Sequence, residues 1–294
     1  MKQLLRNLLD SKAAHYASSF RRVLLGREIG EVFSAVRSLS SDVYEQRSDI
    51  LRSTAANPLN RFGRRCFSQG DEDGITLEIV RRLGLKSGTY CEFGVGNGFE
   101  NNTLILAAAG WKGFWIGGES LSFNFQNLNR FNYQREWVTL ENIDKLARNG
   151  IEFLKSDIDY LSFDLDGNDY FFVRRLLEQG INPKVFVVEY NGKFPPPVRF
   201  KINYDPKHQW NFSDYFSASL QTFVDLFEEF GYKLVCCNSQ TGCNAFFVRD
   251  EFSALFIDVP TEIEKLYQPP RYWGASRAGH SQSPKTVERI FSDA

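Results

Sequence analysis

Tyr90-Cys-Glu-Phe-Gly-Val-Gly-Asn-Gly98 is the stretch that decides the fold of this 294-residue chain. An apolar, strand-like run closes on three glycines at alternate positions, Gly94, Gly96 and Gly98, and Glu92 stands two residues before the first. Phe99-Glu-Asn-Asn-Thr-Leu-Ile-Leu106 follows and reads as the start of a helix. Strand, glycine turn and helix make the ligand-binding corner of an open α/β sheet, where a side chain would hold a ligand off the backbone. A dinucleotide fingerprint needs G-x-G-x-x-G, and Phe99 occupies the place of its third glycine. The remaining acid-x-G-x-G-x-G is the pattern expected of a site for S-adenosylmethionine. That ligand carries positive charge on its sulfonium and ammonium, so a nearby carboxylate attracts it.

Working outward, the chain alternates. A helix carrying Ile75, Ile79, Val80 and Leu83 is expected before the first strand, capped by Ser68 and stopped at Gly84. Strands are predicted at 89–94, 113–119, 136–142, 159–164 and 184–191, with a helix around Phe171 to Leu177. Residues 192–216 form a long proline- and aromatic-rich insertion, and a helix near 217–230 leads to two closing strands, 233–237 and 244–249. A polar turn joins those two, so they should pair as an antiparallel hairpin. The expected fold is therefore α/β, a doubly wound Rossmann-like sheet with an antiparallel terminal hairpin, the architecture of class I methyltransferases.

Residues 1–60 read differently, as a helical N-terminal extension ahead of a domain spanning 61–294. Leu4, Leu5, Leu8 and Leu9 recur at helical spacing, as do Phe20, Val23 and Leu24, then Ile29, Val32, Phe33 and Val36. The first 37 residues are basic. Such a helix serves either as a cap on the domain, as a homo-oligomer contact, or as a peripheral contact with an anionic membrane surface. Asn57-Pro58-Leu59-Asn60 reads as a break.

Composition excludes several classes. A net charge of −1 gives no reason to expect a nucleic-acid partner. No apolar run approaches the roughly 20 residues of a membrane span. The five cysteines (66, 91, 236, 237 and 243) lack zinc-ligand spacing, which fits a reducing, cytoplasmic setting, peripheral to the inner membrane face if the basic helix docks there. Phenylalanine is abundant, 27 residues, and core packing is the plain explanation.

The polar residues that follow successive strands are the candidate site, because ligands of open α/β sheets bind at the carboxyl ends of the strands. Glu119, 21 residues beyond Gly98, suits a chelator of ribose hydroxyls. Asn142 follows the third predicted strand as an adenine contact. Asp164 and Asp166 follow the fourth, Glu189 and Asn191 the fifth. Asp164-x-Asp166 is not a calcium loop, since Gly167 comes too early. It reads as the D-x-D metal grip of a nucleotide-sugar glycosyltransferase, or as a methyltransferase strand end where Asp164 faces cofactor and acceptor. In the second case Asp164, Glu189 and Asn191 share Mg²⁺ or another divalent cation, or the acids cap helices without an ion. His208, within the insertion, is the candidate general base. The aromatics around it suit a lid, a sugar-stacking surface or an oligomer contact.

From about residue 66 to 273 the sequence resembles the FkbM-type S-adenosylmethionine-dependent methyltransferases, in a branch associated with bacterial surface polysaccharide. The resemblance rests on Phe67-Ser-Gln-Gly-Asp-Glu-Asp-Gly74, Glu92 to Thr103, Gly110-Trp-Lys-Gly-Phe-Trp-Ile116, Leu161 to Tyr170, Val187-Val-Glu-Tyr-Asn191 and Asn244-Ala-Phe-Phe-Val-Arg249. It implies O-methylation, commonly of a sugar hydroxyl, and a segment from Gln69 to Asp73 folded over the methionine end of the cofactor. Gly117-Gly118-Glu119 departs from the pattern, which places Glu-Gly and then a polar residue. The expected activity is S-adenosylmethionine-dependent O-methylation of a carbohydrate or glycoconjugate. Cofactor contacts would come from Gln69, Asp73, Glu92, Gly94, Gly96, Gly98, Glu119, Asn142 and Asp164, and catalytic groups from Asp164 and His208. A D-x-D glycosyltransferase and a non-catalytic glycan-binding scaffold are the rivals.

Overall fold

The first strand, β1 (Thr89–Phe93), is buried along its whole length, as the centre of a parallel sheet must be. In the computed structural model, which describes residues 29–36, 38–39, 42–124 and 129–271, β1 pairs with β2 (Lys112–Gly117) on one side and β4 (Tyr160–Phe163) on the other. β3 (Phe131–Arg135) lies beyond β2, and β5 (Val185–Glu189) beyond β4, all parallel. The hairpin β6 (Tyr232–Cys237) and β7 (Asn244–Arg249) then closes the sheet, with β7 antiparallel to β5. The order is β3-β2-β1-β4-β5-β7-β6. This is the expected doubly wound, Rossmann-like sheet with its antiparallel terminal hairpin.

Helices α1 (Glu72–Arg82), α2 (Leu104–Ala108), α3 (Ile143–Leu154), α4 (Asp169–Glu178), α5 (Leu220–Glu229) and the short α6 (Ile263–Leu266) connect or flank the strands. α1 opens with Glu72 and Asp73 and closes with Arg81 and Arg82, charges that complement its dipole. Asp71, not Ser68, stands at its N-cap position. Ser68 instead donates its hydroxyl to Asp73 at 2.9 Å. α5 has a side-chain cap, Ser219 accepting from the Thr222 amide.

Many of the phenylalanines do pack the interior. Phe93 stacks on Phe163 across β1 and β4, with centroids 4.8 Å apart, and Phe227 of α5 stacks on Phe247 of β7 at 4.0 Å. Each fully buried ring contributes about 1.5–3 kcal/mol. Cys91, Cys236, Cys237 and Cys243 are buried free thiols, and Cys66 is exposed.

The third strand differs from expectation. Residues 136–142 are not a strand; β3 is 131–135, a half-buried edge without an apolar run. The 57–60 break is a short 3-10 helix (Pro58–Phe62) laid on the outer strand. There the Asn57 and Asn60 side-chain amides donate to the Val235 and Cys237 carbonyls, each at 2.8 Å. They occupy acceptors that an edge strand would otherwise present to another chain.

The chain divides into two compact units, Met1–Ile50 and Leu51–Ala294. In the first, residues 29–36, 38–39 and 42–50 are helical, as their spacing predicts. The helical patterns at 4–9 and 20–24 lie outside the described residues. No helix among the described residues is long and apolar enough to cross a membrane.

Candidate functional site

Because β1 to β5 are parallel, their C-terminal ends share one edge of the sheet, and order reverses there between β1 and β4. Antiparallel β7 starts at that same edge, where Asn244 pairs with Glu189. A cavity of about 620 Å³ opens at this switch point.

The glycine turn forms its floor. Gly94 has φ +89°, and a Cβ there would collide with the Asp164 carbonyl, so β1 and β4 can approach only over a glycine. Gly96, at φ +49°, has open space where its Cβ would stand, and that space is the cavity. Gly98, at φ +88°, is held by packing instead: a Cβ would lie 2.8 Å from Phe123 and 3.0 Å from Leu121.

Glu92 lines the cavity, and its carboxylate organises the loop above it. It accepts from the Asn102 and Thr103 amides, each at 2.9 Å, and from the Thr103 hydroxyl. Trp115 donates its indole N–H to that same hydroxyl at 2.8 Å. Burial raises the Glu92 pKa, against the pull of these donors.

On the opposite wall, carboxylate oxygens of Asp164, Asp166 and Glu189 lie within 4.8 Å of one another. Burial first, then repulsion from neighbouring acids (Asp166 and Asp169 on Asp164; Asp164 and Asp166 on Glu189), pushes both well above the usual carboxylate range. One oxygen of Glu189, Oε2, is buried with no hydrogen-bond partner among the described residues. Asp166 is held at φ +53°, a left-handed conformation uncommon outside glycine. The turn bearing it hangs from Asp169, which accepts from the Leu165 amide at 2.7 Å and the Gly167 amide at 2.8 Å. Burial pushes Asp169 up to about 6.

A third wall comes from the loop before α1. Gln69 lines the cavity, whereas Asp73 is fully buried beneath it. Its carboxylate accepts from the amides of Cys66, Phe67 and Ser68 at 2.6–2.9 Å and so shapes the loop from below. Glu72 accepts from the Gly70 amide and from the Asn238 and Asn244 side chains. Asp71 accepts from the Ser239 and Gln240 amides in the hairpin turn.

Three other expected residues do not line this cavity. Glu119 is exposed, and its carbonyl takes the Tyr133 hydroxyl. Asn142 folds back on its own turn, accepting from the Thr139 amide and donating to the Trp137 carbonyl, both at 2.8 Å. His208 packs against the Gly167 backbone, 2.6 Å from where a Cβ would be, beside Asp166 rather than on the lining.

Asn191 is also elsewhere. Its side-chain amide is buried and donates to the Asp214 and Phe216 carbonyls at 2.8 and 3.1 Å, tying the insertion to the end of β5. The acid trio contains Asp166 in its place. The insertion has its own small core, with Phe194 stacked on Phe200 at 4.1 Å. Of the insertion's residues, Trp210 lines the cavity, with Phe212 beside it at 4.8 Å and 75% exposed.

Residues that strand-end reasoning missed include Thr241, Cys243 and Asn244. The antiparallel hairpin was the available signal, since it returns the start of β7 to the ligand edge. The charge of the lining is one-sided. Glu92, Glu100, Asp164, Asp166 and Glu189 line the cavity, and among the described residues no lysine, arginine or histidine does.

No family model matches the chain, and no curated protein matches it. Solved structures give matches of low identity. A protein from Lactococcus lactis described as a hemolysin aligns at 14% identity and TM-score 0.38, covering 60% of this chain and 85% of that one. A protein from Plasmodium falciparum described as a ribosomal RNA methyltransferase aligns at 12% identity and TM-score 0.37, covering 63% and 97%. The glycopeptide N-methyltransferase MtfA, in complex with S-adenosyl-L-methionine, aligns at 12% identity and TM-score 0.34, also covering 63% and 97%.

Proposed function

We propose that this chain is an S-adenosylmethionine-dependent O-methyltransferase acting on a hydroxyl of a sugar, polysaccharide or glycoconjugate. The observation that carries the reading is a lining with five acids and, among the described residues, no basic side chain, around a glycine turn at the switch point of the sheet. Such a cavity opposes a pyrophosphate and favours a ligand bearing sulfonium and ammonium charge. Gly96 supports the fit, because its missing side chain leaves the backbone open to a ligand.

When bound, S-adenosylmethionine supplies an electrophilic methyl group. The residues of the chain then have two tasks. Glu92 and the loop it pins fix the cofactor side of the cavity. Asp164 and Glu189 orient an acceptor hydroxyl and take its proton, the work of carboxylates whose basicity burial raises. Trp210 and Phe212 offer flat aromatic faces at the mouth, which suit the apolar face of a sugar ring.

The acid trio supports a further reading of the same site. Asp164, Asp166 and Glu189 are all hard oxygen donors, and the buried, unpartnered Glu189 Oε2 has the character of a ligand atom. They would hold Mg²⁺ or another divalent cation, which would lower the pKa of the acceptor hydroxyl.

Titration calorimetry with S-adenosylmethionine against a nucleotide sugar tests the proposal. Binding of the first and not the second is expected, with labelled methyl then entering a glycan fraction. Binding of the nucleotide sugar alone would overturn it in favour of a glycosyltransferase.

A further inference from the structure

The helical residues described in the first unit carry an apolar stripe with a seven-residue repeat. Ile29, Val36, Val43 and Ile50 are spaced by seven, and Val32 and Leu39 each follow by three. These are the a and d positions of a heptad sustained across three repeats. All six side chains are exposed, between 46% and 63% of their surface. Phe33 widens the stripe at the neighbouring e position and is 68% exposed.

We infer that residues 29–50 form a parallel, two-stranded coiled coil with the same segment of a second copy of this chain. The inference is independent of the methyl-transfer reading. Each a position is β-branched (Ile, Val, Val, Ile), and of the d positions Val32, Leu39 and Gln46 the central one is leucine; β-branched a with Leu at d favours two parallel strands over three or four. Gln46, at the next d position, is a polar interruption of the seam.

Charge points to the same occupant. In a parallel dimer the g residue of one heptad faces the e residue of the next heptad on the other strand. Asp42 is at g and Arg47 at e, both exposed, so each strand offers an acid to a base on its mate. Across 29–50 the acids are Glu31, Asp42, Glu45 and Asp49, against Arg37 and Arg47, a net charge of −2. An anionic membrane repels such a segment, although the residues before it are basic. At 1.5 Å per residue the coil would run about 33 Å.

Sedimentation equilibrium of the full chain tests this, with circular dichroism and calorimetry against S-adenosylmethionine as controls on folding. The wild type is expected at dimer mass, and the Val36→Glu/Val43→Glu variant at monomer mass with unchanged cofactor affinity. Asp42→Arg and Arg47→Asp each place like charges across the seam and should weaken association roughly tenfold or more. The double variant, with both charges exchanged, should recover most of that loss, which only a parallel g–e pairing allows. A monomeric wild type, or a dimer indifferent to Val36→Glu/Val43→Glu, overturns the inference. So does a double charge variant that dimerises no better than the singles. A monomeric wild type that floats on phosphatidylserine vesicles assigns the stripe to a membrane surface instead and also overturns it.

Discussion

Gly94 and Asp164 touch backbone to backbone: no room exists between the end of β1 and the Asp164 carbonyl for even one methyl group. Gly96, two residues on, meets no such obstruction and faces the open cavity. The two glycines therefore do different work, one holding the sheet together and the other leaving space for a ligand.

Gly94→Ala should lower stability by about 3 kcal/mol or more, from collision plus left-handed strain. Gly96→Val should leave the melting temperature within a few degrees of wild type, since the strain alone costs about 1–2 kcal/mol, yet abolish S-adenosylmethionine binding. Thermal melts paired with calorimetry check both. Retained affinity in Gly96→Val would mean that the ligand lies elsewhere.

Asp164→Asn and Glu189→Gln should each lower kcat at saturating cofactor by about 10² or more, a loss larger than the weakening of cofactor binding that follows from removing one charge of the lining. Single-turnover assays alongside equilibrium binding separate the two effects. If the acid trio also holds a divalent cation, EDTA should stop turnover and Mg²⁺ restore it. Turnover indifferent to EDTA would leave the two carboxylates as an acid–base pair without an ion.

Glu72 predicts a pH dependence of stability. Burial, then the neighbouring Asp71, pushes it up to about 7 from the usual 4.5. Between those values the folded chain keeps a proton that the unfolded chain has released. The contribution of Glu72 is therefore complete at pH 4.5 and below, is lost as pH rises toward 7, and changes no further above that. Glu72→Gln should flatten this part of the profile, which melts from pH 4.5 to 8 would detect. A variant whose melting temperature falls as steeply as that of the wild type would assign the dependence to other groups.

Trp210→Ala should raise KM for a glycan acceptor by roughly tenfold, about 1.4 kcal/mol, through lost aromatic contact. Its effect on kcat and on S-adenosylmethionine affinity should be small. Initial-rate kinetics with acceptor and cofactor varied separately distinguish this from a role in holding the cofactor.

The central sheet was legible because its strands are apolar runs with glycine or acid at their ends. β3 was not. As a half-buried edge, Phe131-Asn-Tyr-Gln-Arg135 needs no continuous apolar pattern, while the more apolar Trp137-Val-Thr-Leu140 drew the prediction downstream into a turn. α3 is hidden for a related reason, since Asn142 at its N-terminus reads as the end of that expected strand.

At the site, strand-end acids could be found by position, and Asp164, Glu189 and Asp166 did converge. Asn191 sits at an equally good position, but its amide is consumed by two backbone carbonyls of the insertion, a long-range demand that no local pattern reveals. Asp73 shows the same limit, being turned inward to hold three backbone amides.

Asp71, Glu72 and Asp73 make the Gln69 loop and the β6–β7 hairpin one mechanical piece. Asp73 grips the loop from beneath, Asp71 grips the hairpin turn, and Glu72 bridges Gly70 to Asn238 and Asn244. The last hairpin of the chain is thus a post for a wall built some 170 residues earlier. Fraying the turn at 238–243, away from the glycines and the acid trio, slackens that wall, and a ligand pressed against Gln69 braces the far edge of the sheet.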